Sequence, residues 1–204
     1  MNTNETMHSS TARLTGAALL LLIGFFSLTT ISWAWSGLFV GGILAWLLAF
    51  GKSSKQAFKM PHRLWLIPVG VISYFIIGLL VGLLAQAIGF NWAASPESGK
   101  LGSIIFMIPF MLMGEELLGI GVLEGSLSSG LSLRSSTLLS ALIFGLLHIP
   151  SYWDGSLFST VMHVLLLQSV ARLILNLIYL KAGKSIWASW ITHLLIDLIA
   201  LSIG

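Results

Sequence analysis

The chain is a succession of apolar runs, each close to the length that crosses a bilayer, with its charged residues confined almost entirely to the gaps. A transmembrane helix needs about 20 predominantly apolar residues, and in lipid only helices and closed barrels satisfy their own backbone. Runs at about 14–31, 33–50, 64–90, 102–123, 136–153, 156–180 and 185–203 fit the helical solution. Charged residues are 8% of the 204, where a soluble domain carries about a quarter, and the mean hydropathy is +0.96. The fold class expected is all-α: a polytopic integral membrane bundle of about seven transmembrane helices, with six to eight compatible with the pattern. The first pair is the tightest, with 37 residues for two crossings. Its leading run exceeds the h-region of a signal peptide and has no clear cleavage site, so it reads as a retained helix.

The gaps carry topological information. With a cytoplasmic amino terminus and an external carboxy terminus, Arg13, Lys52, Lys55, Lys59, Arg63, Arg134, Lys181 and Lys184 fall inside and Lys100 outside. The expected location is thus the cell membrane, multi-pass, with residues 1–13 a polar cytoplasmic segment and 14–204 a single transmembrane domain. On this reading the net charge of +3 reflects topology, and the expected partner is the lipid bilayer, not nucleic acid. Absence of cysteine excludes disulfides, iron–sulfur clusters and thiolate zinc sites. No fixed-period repeat is present, which argues against a transporter built from inverted halves.

Against this background the ionisable residues inside the spans stand out: Glu115, Glu116, His148, His163, Arg172, His193 and Asp197. Each costs a few kcal/mol at mid-membrane, so such groups face a cavity or a partner. A single histidine there serves as readily as an interhelical hydrogen bond; carboxylates and imidazoles together on three helices point to chemistry. Counting from the expected cytoplasmic helix ends at about 1.5 Å per residue places Glu115, His148, His193 and Asp197 at roughly 12, 18, 14 and 20 Å, within one layer. His193 and Asp197, four apart, share a helix face, so that Asp197 can orient the imidazole. Phe144 and His148 have the same spacing, the Phe reading as packing, and Pro150 ends or bends the helix just beyond. Glu115 and Glu116 point about 100° apart, so only one faces a water site squarely. Pro109 offers a kink.

Glu115-Glu116 in GEELLGIGVL, Phe144–His148 as FxxxH and His193–Asp197 as HxxxD resemble, in order and spacing, the motifs of the CAAX protease and bacteriocin-processing (CPBP, or Abi) intramembrane proteases. The resemblance covers about Gly114–Asp197, within the motif-bearing region 102–204. It implies a helical membrane endopeptidase in which Glu115 and His148 activate a water and His193 with Asp197 stabilises the tetrahedral intermediate. Implied substrates are membrane-associated peptides, such as a lipidated carboxy terminus or a bacteriocin precursor. One position departs: the family's EExxxR has Ile120 where the Arg stands. Glu116 then lacks a cation one turn away, and Arg172, roughly 12 Å into its own span, lies at a depth to supply it. The departure keeps open the alternative of a non-catalytic membrane protein conferring bacteriocin self-immunity. No cofactor is favoured. Glu115, His148 and His193 would be the ligands if zinc were used, but there is no HExxH and neither His lies one turn from Glu115.

Overall fold

The apolar runs fold into helices because nothing else buries their backbone polar groups. A computed structural model describes residues 7–92 and 95–203, so that residues 1–6 of the polar amino-terminal segment lie outside the described part. Its helices are α1 (Thr11–Thr30), α2 (Gly37–Phe50), α3 (Leu66–Ala87), α4 (Leu101–Ile104), α5 (Ile108–Ser128), α6 (Leu133–Leu147), α7 (Leu157–Leu166), α8 (Gln168–Lys181) and α9 (Ile186–Ile203), with a 3-10 helix, Gly51–Phe58, continuing α2. No strand occurs among the described residues.

Five helical stretches are long and apolar enough to cross a membrane: Thr11–Thr30, Gly37–Phe58, Leu66–Ala87, Leu157–Lys181 and Ile186–Ile203. The expected count of about seven comes down to five by this measure. The other two runs are helical but qualify less well: α5 has 21 residues yet brings Glu115, Glu116 and Glu124, and α6 has only 15. At 1.5 Å per residue α6 is about 22 Å long, short of the hydrocarbon core.

Several boundaries differ from expectation for local reasons. Pro109 lies in the first turn of α5, where a missing N–H costs nothing, so it starts a helix instead of kinking one. The helix from Ser132 ends at Leu147, with His148 as its C-cap, six residues before the expected end; Pro150 forbids continuation. The run 156–180 is interrupted at Leu167, where α7 gives way to α8. Ser10, Ser132 and Ser156 cap α1, α6 and α7 by accepting from backbone amides three residues on.

The first hairpin is closed by glycine. A Cβ on Gly24 would stand 2.8 Å from the Gly37 carbonyl oxygen, and one on Gly41 2.9 Å from that of Leu20. α1 and α2 therefore touch backbone to backbone, the small-residue packing that replaces hydrophobic drive in lipid. α5 is the central helix, packed against α2, α6, α8 and α9. Its fully buried Leu117, Ile120 and Leu123 form a core with Trp46, Ala57, Tyr179 and Ile186. Outward-facing α3 exposes Leu79, Leu80, Leu83 and Leu84, as a lipid-facing helix does.

The basic segments meet at one end of the bundle. The Arg13 Nε donates to the Leu48 carbonyl at 2.7 Å, the Ser185 hydroxyl to Lys59 at 2.6 Å, the Trp187 indole to Phe58 at 3.0 Å, and the His62 amide to Ala182 at 2.9 Å. Beneath them Glu124, fully buried, accepts from the Tyr179 hydroxyl at 3.0 Å and pairs with Lys184 at 3.0 Å. No sequence motif singles out Glu124; its partners come from α8, 55 residues on, and from the turn after it, 60 residues on.

Candidate functional site

The opposite end of the bundle holds a cavity of about 530 Å³, and Glu115, His148, His193 and Asp197 all line it. They come from α5, the end of α6 and α9. Phe144, Tyr74, Tyr152 and Gln168 complete its polar and aromatic wall, with Leu28, Ile108, Leu112 and Leu201 among the apolar lining. The expectation of one shared layer thus corresponds to one shared cavity, though His148 reaches it from a helix end, not from mid-helix.

The adjacent glutamates part company as their 100° separation requires. Glu115 keeps 21% of its side chain exposed, and Glu116 keeps none. Glu116 is enclosed by donors. The Arg172 guanidinium forks onto both its oxygens, Nη1 to Oε1 at 2.9 Å and Nη2 to Oε2 at 3.0 Å. The Ser189 hydroxyl donates to Oε2, and the His193 Nδ1–H donates to Oε1 at 2.9 Å. Arg172 thus supplies, from α8, the cation that Ile120 does not. A bidentate guanidinium–carboxylate pair of this kind satisfies a buried charge that unpaired would be expensive. Arg172 is itself held: its Nε donates to Asn176 Oδ1 at 3.1 Å, Asn176 Nδ2 donates to the Ser140 hydroxyl at 3.1 Å, and that hydroxyl donates to the Gly119 carbonyl at 2.7 Å.

This network fixes the orientation of His193. The expected orienting partner is Asp197, but the structure gives the hydrogen bond to Glu116 instead, because Glu116 reaches Nδ1 across the α5–α9 interface. Asp197 Oδ1 and Glu115 Oε2 each stand 3.9 Å from the other nitrogen, Nε2. Both gaps are too long for direct hydrogen bonds, and both are of the kind a bridging water fills. His148 is oriented differently: its Nδ1 donates to the Phe144 carbonyl at 2.8 Å, a group that can only accept, which leaves Nε2 as acceptor in the neutral ring.

Phe144 is packing, but packing with three neighbours. Its ring centroid is 4.7 Å from that of His148, 6.3 Å from that of His193, and 5.5 Å from the Arg172 Cζ. It is a spacer that sets both imidazoles and screens the guanidinium from the cavity. His163 takes no part. It is buried against Trp92, stacked at 4.8 Å and 2°, and against the edge of Tyr152.

The α6–α7 connection, outside the spans, is tied by Asp154. Its carboxylate accepts from the Ser159 hydroxyl at 2.6 Å, the Thr160 hydroxyl at 3.0 Å and the Ser156 amide at 3.0 Å. These donors, Ser159 first, hold the carboxyl below its ordinary range.

Among the described residues no group of three or more His, Asp or Glu side chains is placed as it stands to hold a metal ion. Ser189, Asn176 and Ser140 are the polar residues that no motif marks. Only their spacing gives a hint: Ser189 lies one turn before His193, and Asn176 one turn after Arg172.

Neither a search of curated proteins nor one of solved structures returns a match. The family described as type II CAAX prenyl endopeptidase Rce1-like matches residues 97–199, half of the chain and the whole of the cavity's catalytic-type side chains. A family of membrane endopeptidases accounts for a cavity with polar side chains enclosed by apolar helices, and the chain belongs to the Rce1-like type II CAAX prenyl endopeptidase family.

Proposed function

We propose that the protein is an intramembrane endopeptidase that hydrolyses a peptide bond with a water activated by Glu115 and His148. The observation that carries the reading is the division of labour between the two glutamates. Glu116 is consumed by Arg172, Ser189 and His193, while Glu115 remains free to face the cavity beside the imidazole so held. Glu115 takes a proton from the water, His148 Nε2 accepts the water's second hydrogen bond, and the hydroxide adds to the scissile carbonyl carbon. The oxyanion receives a hydrogen bond from His193 Nε2, which in the imidazolium form is a donor already aimed by Glu116. Collapse of the intermediate breaks the C–N bond, and the proton held by Glu115 passes to the departing amine. Asp197, 3.9 Å from Nε2, steadies the imidazolium and the incoming amide.

The reading assigns no step to a metal. Its test uses the purified full-length protein in zwitterionic lipid nanodiscs with internally quenched peptides. Glu115→Gln is expected to lower kcat by about 10²–10⁴-fold, and His193→Ala by about 10²–10³-fold. Wild-type activity is expected to survive strong chelator. Undiminished cleavage by Glu115→Gln overturns the assignment, and loss of activity in chelator that zinc restores overturns its metal independence.

A further inference from the structure

The bundle has a second cavity, which shares no lining residue with the first among the described residues. α1 packs on α2 and α6 on α5, and the space left between α1 and α6 is an apolar groove of about 350 Å³. Ala18 and Leu21 form one wall, Leu139 and Ile143 the other, and Gly121 and Gly125 of α5 lie between them. The groove ends where Leu21, Phe25 and Leu147 pack on the buried cluster of Leu38, Leu118 and Phe144. From Leu21 it runs back to Leu14, about 10 Å along α1, and so to the basic end of the bundle, where Ser126 and Ser129 line it. On either side Leu19 and Ile23 of α1 and Leu138 and Leu142 of α6 are exposed, as lipid-facing side chains are.

The charge around the basic end of the groove is of one sign. Arg13, one turn before the groove residue Ala17, spends its Nε on the Leu48 carbonyl, and its Nη atoms make no hydrogen bond among the described residues. A Cβ on Gly51 would stand 3.1 Å from Nη2, which places the guanidinium beside Phe50, another groove residue. Lys52, Lys55 and Arg134 are exposed at the same end, whereas its acid among the described residues, Glu124, is fully buried and paired with Lys184. We infer that the groove holds one acyl chain of an anionic phospholipid from the leaflet at the basic end, with the phosphate held by Arg13 and the hydroxyls of Ser126 and Ser129. An acyl chain is the apolar solute that the bilayer supplies at this depth, and basic clefts between transmembrane helices take anionic headgroups. About 10 Å of groove accommodates the upper part of a chain in a leaflet whose hydrocarbon is about 15 Å deep. Residues 2–6 are all polar and offer nothing to fill it. A second copy inserted in the same sense would bring its own basic end to the same level, setting like charges against one another.

The test uses the full-length protein, delipidated in neutral detergent, with dioleoyl phosphatidylglycerol or dioleoyl phosphatidylcholine added. Retained lipid is read by native mass spectrometry and stability by thermal melting. One phosphatidylglycerol per chain is expected to be retained about fivefold better than phosphatidylcholine, the worth of one arginine near an anionic surface. It is expected to raise the melting temperature by at least about 3 °C. Ala18→Phe and Ser129→Phe, both at exposed lining positions, are each expected to fill the groove and abolish retention and the thermal shift, with lipid-free melting unchanged. Arg13→Gln is expected to equalise the two lipids, and Arg13→Lys, which keeps the charge, to preserve the preference. Arg63→Gln with Lys181→Gln, which removes two exposed charges outside the groove lining at the same end, is expected to leave the preference unchanged. Equal retention of the two lipids by wild type, retention undisturbed by both groove variants, or equal losses from the Arg13 and the Arg63 with Lys181 changes overturns the site. So does a wild-type dimer that Ala18→Phe dissociates, because a second copy then occupies the groove.

Discussion

An alanine inside a helix is normally about 1 kcal/mol better than a glycine, and at position 119 the sign reverses. A Cβ there would stand 2.7 Å from both Cδ and Nη1 of Arg172. The guanidinium is locked to Glu116 and Asn176 and has no room to yield. Overpacking of this kind costs about 1–3 kcal/mol, so Gly119→Ala is expected to lower thermal stability and to reduce activity by displacing Arg172; unchanged melting and turnover would show that the pair tolerates movement. The pair itself invites a double-mutant cycle. Arg172→Leu leaves a buried carboxylate alone and should cost about 3–5 kcal/mol, whereas Arg172→Leu with Glu116→Leu should cost much less, because no charge is then stranded. Additive losses would mean that the two side chains act separately. The sequence makes part of this legible. Ile120 in place of the motif's Arg demands another cation for Glu116, and Arg172 is the intramembrane cation at a suitable depth. Ser189, Asn176 and Ser140 are illegible because a small polar residue on an apolar helix is as readily a bond to its own backbone as a cross-helix partner, and which face it occupies depends on crossing angles that no local pattern encodes. The same holds for Glu116 displacing Asp197 as the partner of His193: the i,i+4 spacing makes the contact available, and interhelical packing decides against it.

At the scale of elements, runs of apolar residues mark helices well and mark their ends poorly. The FxxxH segment shows why. Apolarity continues past His148, so periodicity extends the span to 153, yet Pro150 and the turn at His148 stop α6 short. That early stop is what brings His148 to a cavity wall rather than into the lipid-facing middle of a span. The following connection is then pinned by Asp154, which ties it to the first turn of α7. Because the folded carboxyl is held below its ordinary value of 3.8, the stabilisation it gives is present above that value and is lost as pH falls through the lower, folded one. Amide exchange in the first turn of α7, corrected for intrinsic rates, is expected to lose protection in wild type only below about pH 3.8, while Asp154→Ala is less protected above that pH, converges with wild type in acid and shows no such step. Parallel profiles for the two proteins would remove Asp154 as the tie.

At the scale of the whole molecule, the two ends of the bundle are chemically opposite, and the orientation of the chain in the membrane decides the direction from which a substrate would arrive. One end gathers Arg13, the lysine-bearing 3-10 helix and the α8–α9 turn through the hydrogen bonds of Arg13, Ser185 and Trp187. The other carries the cavity, whose lining includes Ser95, Pro96 and Glu97 of the loop before α4 and Ser151 and Tyr152 of the α6–α7 connection. Basic loops are retained on the cytoplasmic side during insertion, so the orientation expected from eight basic residues against one places the cavity mouth on the external face. The absence of native cysteine allows a direct test with single cysteines. Met60, 81% exposed, lies at the basic end, and Ser98 lies in the loop beside the mouth. In intact cells a membrane-impermeant thiol reagent is expected to label Ser98→Cys, and to label Met60→Cys only after permeabilisation. The reverse pattern would turn the cavity toward the cytoplasm. The distances within the site would stand unaltered, but a substrate would then have to approach from the side on which it is synthesised, and the positive-inside asymmetry of this chain would need another cause.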